Sequence, residues 1–170
     1  MPKQFQFKDD ARSQLMEGID LMARTVGITL GPSGRNVILA KEFGPPQVCS
    51  DGVTIAKEIE LREPFPNMGA QLLKEAASKT NDDVGDGTTT STILAQAILK
   101  NGFKNIAAGA DPIALKRGID EAVDVITKEL ITISKDVAGD EQISQVAVLS
   151  AHDEKMGQLI GQVMSKVGKD

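Results

Sequence analysis

Through most of this chain the apolar residues return every three or four positions, and only short runs depart from that spacing. Such a period gathers them on one face of a helix, whereas a half-buried strand would alternate. Leu15, Ile19, Met22 and Val26 form the first face. With Asp9 or Asp10 as N-cap they predict a helix from about Ala11 to Ile28. Gly31-Pro32-Ser33-Gly34 ends that pattern. Asn36-Val37-Ile38-Leu39 and Gln47-Val48-Cys49, joined by a turn at Phe43-Gly44-Pro45-Pro46, then predict a hairpin. Phe5 and Phe7 alternate with polar neighbours and suggest one more short strand. The fold class is therefore mainly α, with one small β-hairpin.

Further along, Thr54 to Ile59 reads as a short helix stopped before Pro64 and Pro66, because proline disfavours the helical conformation of its predecessor. Asn67 is the expected cap of the next helix, whose apolar face is Met68, Leu72, Leu73 and Ala76 and which ends in a polar loop from Asn81 to Gly87. Thr88-Thr89-Thr90 open another, with Ile93, Leu94, Ala97 and Ile98 on its face and Asn101-Gly102 as its expected stop. Asp111-Pro112 is an N-cap followed by proline at the first helical position. It starts a long amphipathic helix over Leu115, Ile119, Ala122, Ile126, Leu130 and Ile133, with Asp124 and Lys128 spaced as a helical ion pair. A polar stretch from Ser134 to Asp140 suggests two domains, 1–133 and 134–170. Helical patterns resume over Glu141 to Leu149 and Asp153 to Val167, and the methionines, at helical spacing, read as core. No tandem repeat or low-complexity segment interrupts the chain.

Composition narrows the function classes. With 19 basic against 24 acidic side chains the chain carries a net charge of -5, which disfavours clamping of DNA or RNA. One cysteine, Cys49, cannot staple the chain to itself, and the N-terminus opens no apolar signal region. The expectation is a reduced, cytoplasmic protein without nucleic-acid or membrane partners. A structural zinc site draws on roughly four ligands, and one cysteine with one histidine, His152, cannot supply them. An ion here would bind oxygen. His152 has no partner motif and reads as part of a helix-capping stretch.

The residues richest in chemistry are Val84-Gly85-Asp86-Gly87-Thr88-Thr89-Thr90-Ser91. Glycines let backbone approach a ligand, and a helix opening at the threonines presents unpaired N–H groups and the positive end of its dipole, which suits an anion. Asp86 beside that anion is a hard oxygen ligand for Mg²⁺. The competing reading is that Asp86 and the threonines cap a helix. No G-x-x-x-x-G-K-[ST] occurs, Gly85-Asp86-Gly87 lacks the third glycine of a dinucleotide fingerprint, and a calcium loop begun at Asp82 would reach Ile93 where an acid is needed. Leu30-Gly31-Pro32-Ser33-Gly34-Arg35 and Ser50-Asp51-Gly52 share this character, although each alone reads as a turn.

Taken together, these segments resemble the group I chaperonins, the GroEL-type ATP-driven folding machines. The similarity is carried by residues 26–37 (Val-Gly-Ile-Thr-Leu-Gly-Pro-Ser-Gly-Arg-Asn-Val), by Ser50-Asp51-Gly52-Val53, by Asn67-Met68-Gly69-Ala70-Gln71 and by Gly85-Asp86-Gly87-Thr88-Thr89-Thr90. Leu115-Lys116-Arg117-Gly118-Ile119-Asp120 and Val167-Gly168-Lys169 extend it to the end. It covers the front of the family's protein: the first half of the helical equatorial domain and the ascending limb of the intermediate domain, stopping where the apical domain would begin.

That resemblance implies Mg²⁺-dependent ATP hydrolysis coupled to assisted protein folding. It implies stacked homo-oligomeric rings, ATP and ADP as ligands, a co-chaperonin and unfolded polypeptide clients. By the matching positions, Leu30, Gly31 and Pro32 line the nucleotide and its phosphates, and Gly87, Thr88, Thr89 and Thr90 hold phosphate oxygens. Asp86 matches the Mg²⁺ ligand and Asp51 an aspartate that organises the attacking water. Leu149 and Ser150 match a stretch near base and ribose. Thr29, Ser50 and Thr89 match oxygens around a K⁺ ion, with Ser50 also among the nucleotide-binding positions. Ser50 stands where many relatives carry Lys or Asn, so a main-chain contact there survives and a side-chain contact changes. Phe5 and Phe7 match a strand at the family's subunit boundary. The alternative is a truncated, non-enzymatic interaction module. Because the family's second water-positioning aspartate and the partners of several helices fall in sequence not present here, the isolated chain is expected to hydrolyse ATP weakly or not at all. It is also expected to bind hydrophobic dye and to run larger than a compact monomer.

Overall fold

The computed structural model describes residues 3–41, 43–151 and 153–168. His152 and Lys169 lie outside them. The order is α1 (Lys8–Gly27), β1 (Val37–Leu39), β2 (Gln47–Cys49), α2 (Gly52–Glu58), α3 (Pro64–Val84), α4 (Thr88–Ala107), α5 (Pro112–Ile133), α6 (Asp140–Ala151) and α7 (Glu154–Val167). The chain is mainly α, and its β-structure among the described residues is the expected hairpin, pairing Val37 with Cys49 and Leu39 with Gln47 in antiparallel register. It divides into two compact units, Met1–Lys116 and Arg117–Asp170.

In the first unit, Ile19, Met22 and Val26 of α1 meet Leu39 of β1, Ile55 and Ala56 of α2, and Ala70, Leu73 and Ala77 of α3. Small residues set how close these elements come. A Cβ added to Gly18 of α1 would stand 1.7 Å from the Pro66 carbonyl oxygen, and one on Gly69 of α3 would stand 2.0 Å from that of Leu15. The two helices therefore cross backbone to backbone. Short α2 is tied at its C-terminal end, where Lys74 Nζ donates to the Lys57 carbonyl (2.7 Å) and Lys41 pairs with Glu58 (2.8 Å).

Several boundaries differ from the sequence expectations, each for a local reason. The first helix starts at Lys8, after an extended Phe7, so Asp9 and Asp10 lie inside its first turn instead of capping it. Carboxylates still suit that positive helix end, and Asp9 also pairs with Arg12 at 3.2 Å. Residues 3–7 form no strand, and Phe5 and Phe7 are exposed. The short helix ends at Glu58, before Pro64 and Pro66 as expected, but the two prolines also open α3, since first-turn N–H groups have no helical partner to lose. Asn67 is therefore not a cap; its Oδ1 accepts from the Leu61 N–H at 2.9 Å.

The buried face of α3 is Pro66, Gly69, Ala70, Leu73 and Ala77, while Met68 and Leu72 are exposed. The helix also continues through Asn81 to Val84. Gly102 does not stop α4, which runs on to Ala107 with Gly102 lying beside the Leu115 side chain. Leu94 and Ile98 on its expected apolar face are exposed, and its buried residues are Thr88 and Thr92. Of the methionines, Met22 is core and Met16 packs on it, whereas Met68 and Met156 are more than half exposed.

Asp111 caps α5 as expected, accepting from the Ala114 N–H at 2.8 Å. Yet α5 buries no residue, and among the described residues no ion pair joins Asp124 to Lys128. In the second unit α6 and α7 form a close pair: Gly157 packs on Val148 and Gly161 on Ser144, each too near for a Cβ without displacement. Asp153 caps α7 by accepting from the Met156 N–H at 2.9 Å. Ile143, Val146, Met156, Ile160 and Met164 line an open cleft of about 730 Å³. Among the described residues no helix is long and apolar enough to cross a membrane.

Candidate functional site

Two left-handed glycines bracket one carboxylate at the α3–α4 junction. Gly85 (φ 76°) closes α3, donating its N–H to the Asn81 carbonyl at 2.8 Å, and Gly87 (φ 77°) is the N-cap of α4. Both conformations come cheaply to glycine alone. Asp86, between them, accepts the Gly87 N–H through Oδ1 at 2.6 Å and reaches no further into α4. No side chain caps that helix. Its first-turn amides, at Thr88, Thr89 and Thr90, are thus left for water or a ligand. This departs from the capping alternative, in which Asp86 or a threonine would have satisfied them.

The start of α2 and the loop after α1 converge on the same helix end. Gly52 sits so near that a Cβ there would lie 2.4 Å from Thr89 Oγ1, 2.9 Å from Thr88 Oγ1 and 3.1 Å from the Thr89 nitrogen. Thr29 Oγ1 lies 3.4 Å from Thr89 Oγ1. Because Thr29 gives its hydrogen to the Val26 carbonyl (2.8 Å), Thr89 is the donor of that pair. Beneath them the buried Thr92 donates to the Thr88 carbonyl at 2.7 Å. The loop itself folds back on Thr29: Gly34 donates to the Gly31 carbonyl and Arg35 to that of Ile28, both at 2.9 Å, with Gly31 at φ 77°.

Asp51 precedes Gly52 and caps α2. Its Oδ2 accepts from the Thr54 N–H at 2.9 Å and the Thr54 hydroxyl at 2.5 Å, while Oδ1 carries no bond among the described residues. Ser50, Asp51, Asp86, Gly87, Thr90, Leu30, Gly31 and Pro32 are exposed, Thr29 and Thr89 half-buried, and Thr88 buried. The structure thus brings Thr29, Gly52, Thr88 and Thr89 into contact, with Asp51 and Asp86 each one or two residues away along the chain. Leu149 and Ser150 lie on α6 in the second unit, both exposed. Among the described residues no three His, Cys, Asp or Glu side chains cluster as a metal site, and no cation pairs with Asp86. A hard cation held at Asp86 would complete its shell with ligand and water oxygens, which is the habit of Mg²⁺. The Gly52 contact and buried Thr92 were not foreseen, because nothing in a local pattern reports an approach between residues 37 positions apart.

Residues 22–167 match the TCP-1/cpn60 chaperonin family. Among solved structures, the chain is similar to the chaperonin gp146 from the bacteriophage EL 2 (Pseudomonas aeruginosa), crystallised in the presence of ATP-BeFx, with a TM-score of 0.80 and 26% identity. The match covers 95% of this chain and 29% of that one.

Proposed function

The chain belongs to the TCP-1/cpn60 chaperonin family, and from that premise we propose that its first unit binds ATP and contributes to nucleotide-driven protein folding. The observation that carries this reading is the uncapped N-terminus of α4, set beside Asp86 and against Thr29 and Gly52. Backbone amides at a helix start hold phosphate oxygens, and the helix dipole favours their charge. Gly31 and Gly87 keep side chains out of the approach, Leu30 and Pro32 offer apolar surface beside the nucleotide, and the threonine hydroxyls add donors. Asp86 fits a Mg²⁺ ion, which when bound would neutralise charge on the phosphates.

Phosphoryl transfer asks the protein mainly for positioning and charge stabilisation. Asp51 is clamped through Oδ2 and presents Oδ1, an arrangement suited to orienting a water. Thr29, Thr89 and Ser50 are the oxygen donors for a K⁺ ion. Leu149 and Ser150 belong to the same reading as base- and ribose-side residues. Ring assembly, a co-chaperonin, unfolded clients and a cytoplasmic location belong to the proposal for the longer protein that the family describes. Replacing Asp86 tests the site: Asp86→Ala lowers Mg²⁺-dependent ATP binding at least about tenfold, as expected when a charged hydrogen-bonding partner worth roughly 1.5–3 kcal/mol is lost, while helical content by circular dichroism stays at the parent level. Equal ATP affinity in that variant would sink the assignment.

A further inference from the structure

The face of α4 turned to α1 carries an ordered, antiparallel series of contacts. Thr89 meets Thr29, Ile93 Cδ1 lies 3.4 Å from where a Cβ on Gly27 would stand, and Gln96 Nε2 donates to Asp20 Oδ1 at 2.5 Å. One turn on, Lys100 Nζ approaches Asp20 Oδ2 at 3.8 Å. Residues 89, 93, 96 and 100 fall on one stripe of the helix.

Apolar burial on α4 is sparse. Its buried residues are two threonines, of which only Thr92 is fully buried, and Ala95 and Leu99 are only partly buried against the core. The hydrophobic driving force is non-directional, so sparse apolar burial selects the register of a helix less sharply than a directional hydrogen bond does. Asp20 does select: its two oxygens are met from successive turns of α4, and a one-residue slide of about 1.5 Å would misplace both partners. The half-exposed, longer Lys100 contact is the weaker of the two.

We infer that the Asp20–Gln96 hydrogen bond is a register lock, and that Asp20 and Gln96 are positioning residues holding the uncapped start of α4 against Thr29 and Gly52, two turns away. The consequence for nucleotide rests on the ATP reading above; the lock itself does not depend on it.

Cross-linking reads the register directly. Thr29→Cys with Thr89→Cys, in a Cys49→Ser background, places two thiols where hydroxyls now stand 3.4 Å apart, within reach of a disulfide. Adding Gln96→Leu slows disulfide formation about tenfold, the order expected when a shift of about 1 Å spoils an approach, whereas Asp20→Asn keeps an acceptor for Gln96 and stays within about twofold. Should Gln96→Leu lose its helical signal, Gln96→Asn, one methylene too short, repeats the test. Cross-linking at the parent rate in the Gln96 variant overturns the lock, and equal slowing by Asp20→Asn overturns its assignment to this hydrogen bond. With native threonines, Gln96→Leu also weakens Mg-ATP binding about tenfold. Slowed cross-linking with unchanged affinity overturns the positioning role. Failure of the unaltered chain to bind Mg-ATP overturns the nucleotide reading instead, and the cross-linking rate still decides the lock.

Discussion

The Oδ2 atom of Asp51 holds the first turn of α2 through both the amide and the hydroxyl of Thr54, and Oδ1 remains open. On the proposed reading, structural and chemical roles sit on separate oxygens of one side chain, and substitution can divide them. Asparagine caps a helix about as well as aspartate, whereas alanine costs about 1 kcal/mol. Asp51→Asn is expected to match the parent in thermal melting and in ATP binding and, when assayed in the longer protein that the family describes, to lose most hydrolysis. Asp51→Ala loses hydrolysis too and melts lower. If Asp51→Asn turns over ATP at the parent rate, the carboxylate does not orient water. At this scale the sequence is informative where chemistry is local: Asp86, its flanking glycines and the three threonines form one continuous motif. It is silent on Gly52 against Thr89 and on Gln96 with Asp20, since those pairings exist only after three helices have packed.

Among the elements, the crossing of α1 and α3 is fixed by two glycines whose hydrogens face carbonyl oxygens of the opposing helix. Backbone cannot swing aside as a long side chain can, so any Cβ there must push the helices apart and open the core around Ile19, Met22 and Leu73. Gly69→Ala is expected to cost about 3 kcal/mol or more, at the upper end for overpacking, despite alanine's better helix propensity. Urea denaturation measures it, and a midpoint at or above the parent's would mean that the crossing relaxes freely. Helix existence was legible from the 3.6-residue period, and so was the hairpin, from its Gly-Pro turn. The ends were less so. Glycine stops a helix at a left-handed position, as at Gly85, but Gly102 simply gives room to Leu115; proline at position 64 follows the end of one helix and also opens the next, α3. The same residue type supports both outcomes, and only packing distinguishes them.

For the whole molecule the informative element is α5. Its sequence carries a long apolar stripe, and yet it buries none of its 22 residues: Ile126, Leu130 and Ile133 are each more than half exposed. Its stripe and the open cleft between α6 and α7 put large apolar side chains in water, and a two-stranded hairpin keeps unpaired edges, both of which favour association. Association is the natural outcome. The chain is expected to bind a hydrophobic dye and to elute ahead of an 18.1 kDa compact standard in size-exclusion chromatography. Lysines on the stripe separate this from general instability, because surface substitutions that break no contact change folding by only about 0.5 kcal/mol. Ile126→Lys with Leu130→Lys should reduce dye binding and shift the elution toward monomer while the melting of the first unit holds. A parent chain that runs as a monodisperse, dye-silent monomer would mean that α5 finds cover within its own chain, and the exposed stripe would then not be an association surface.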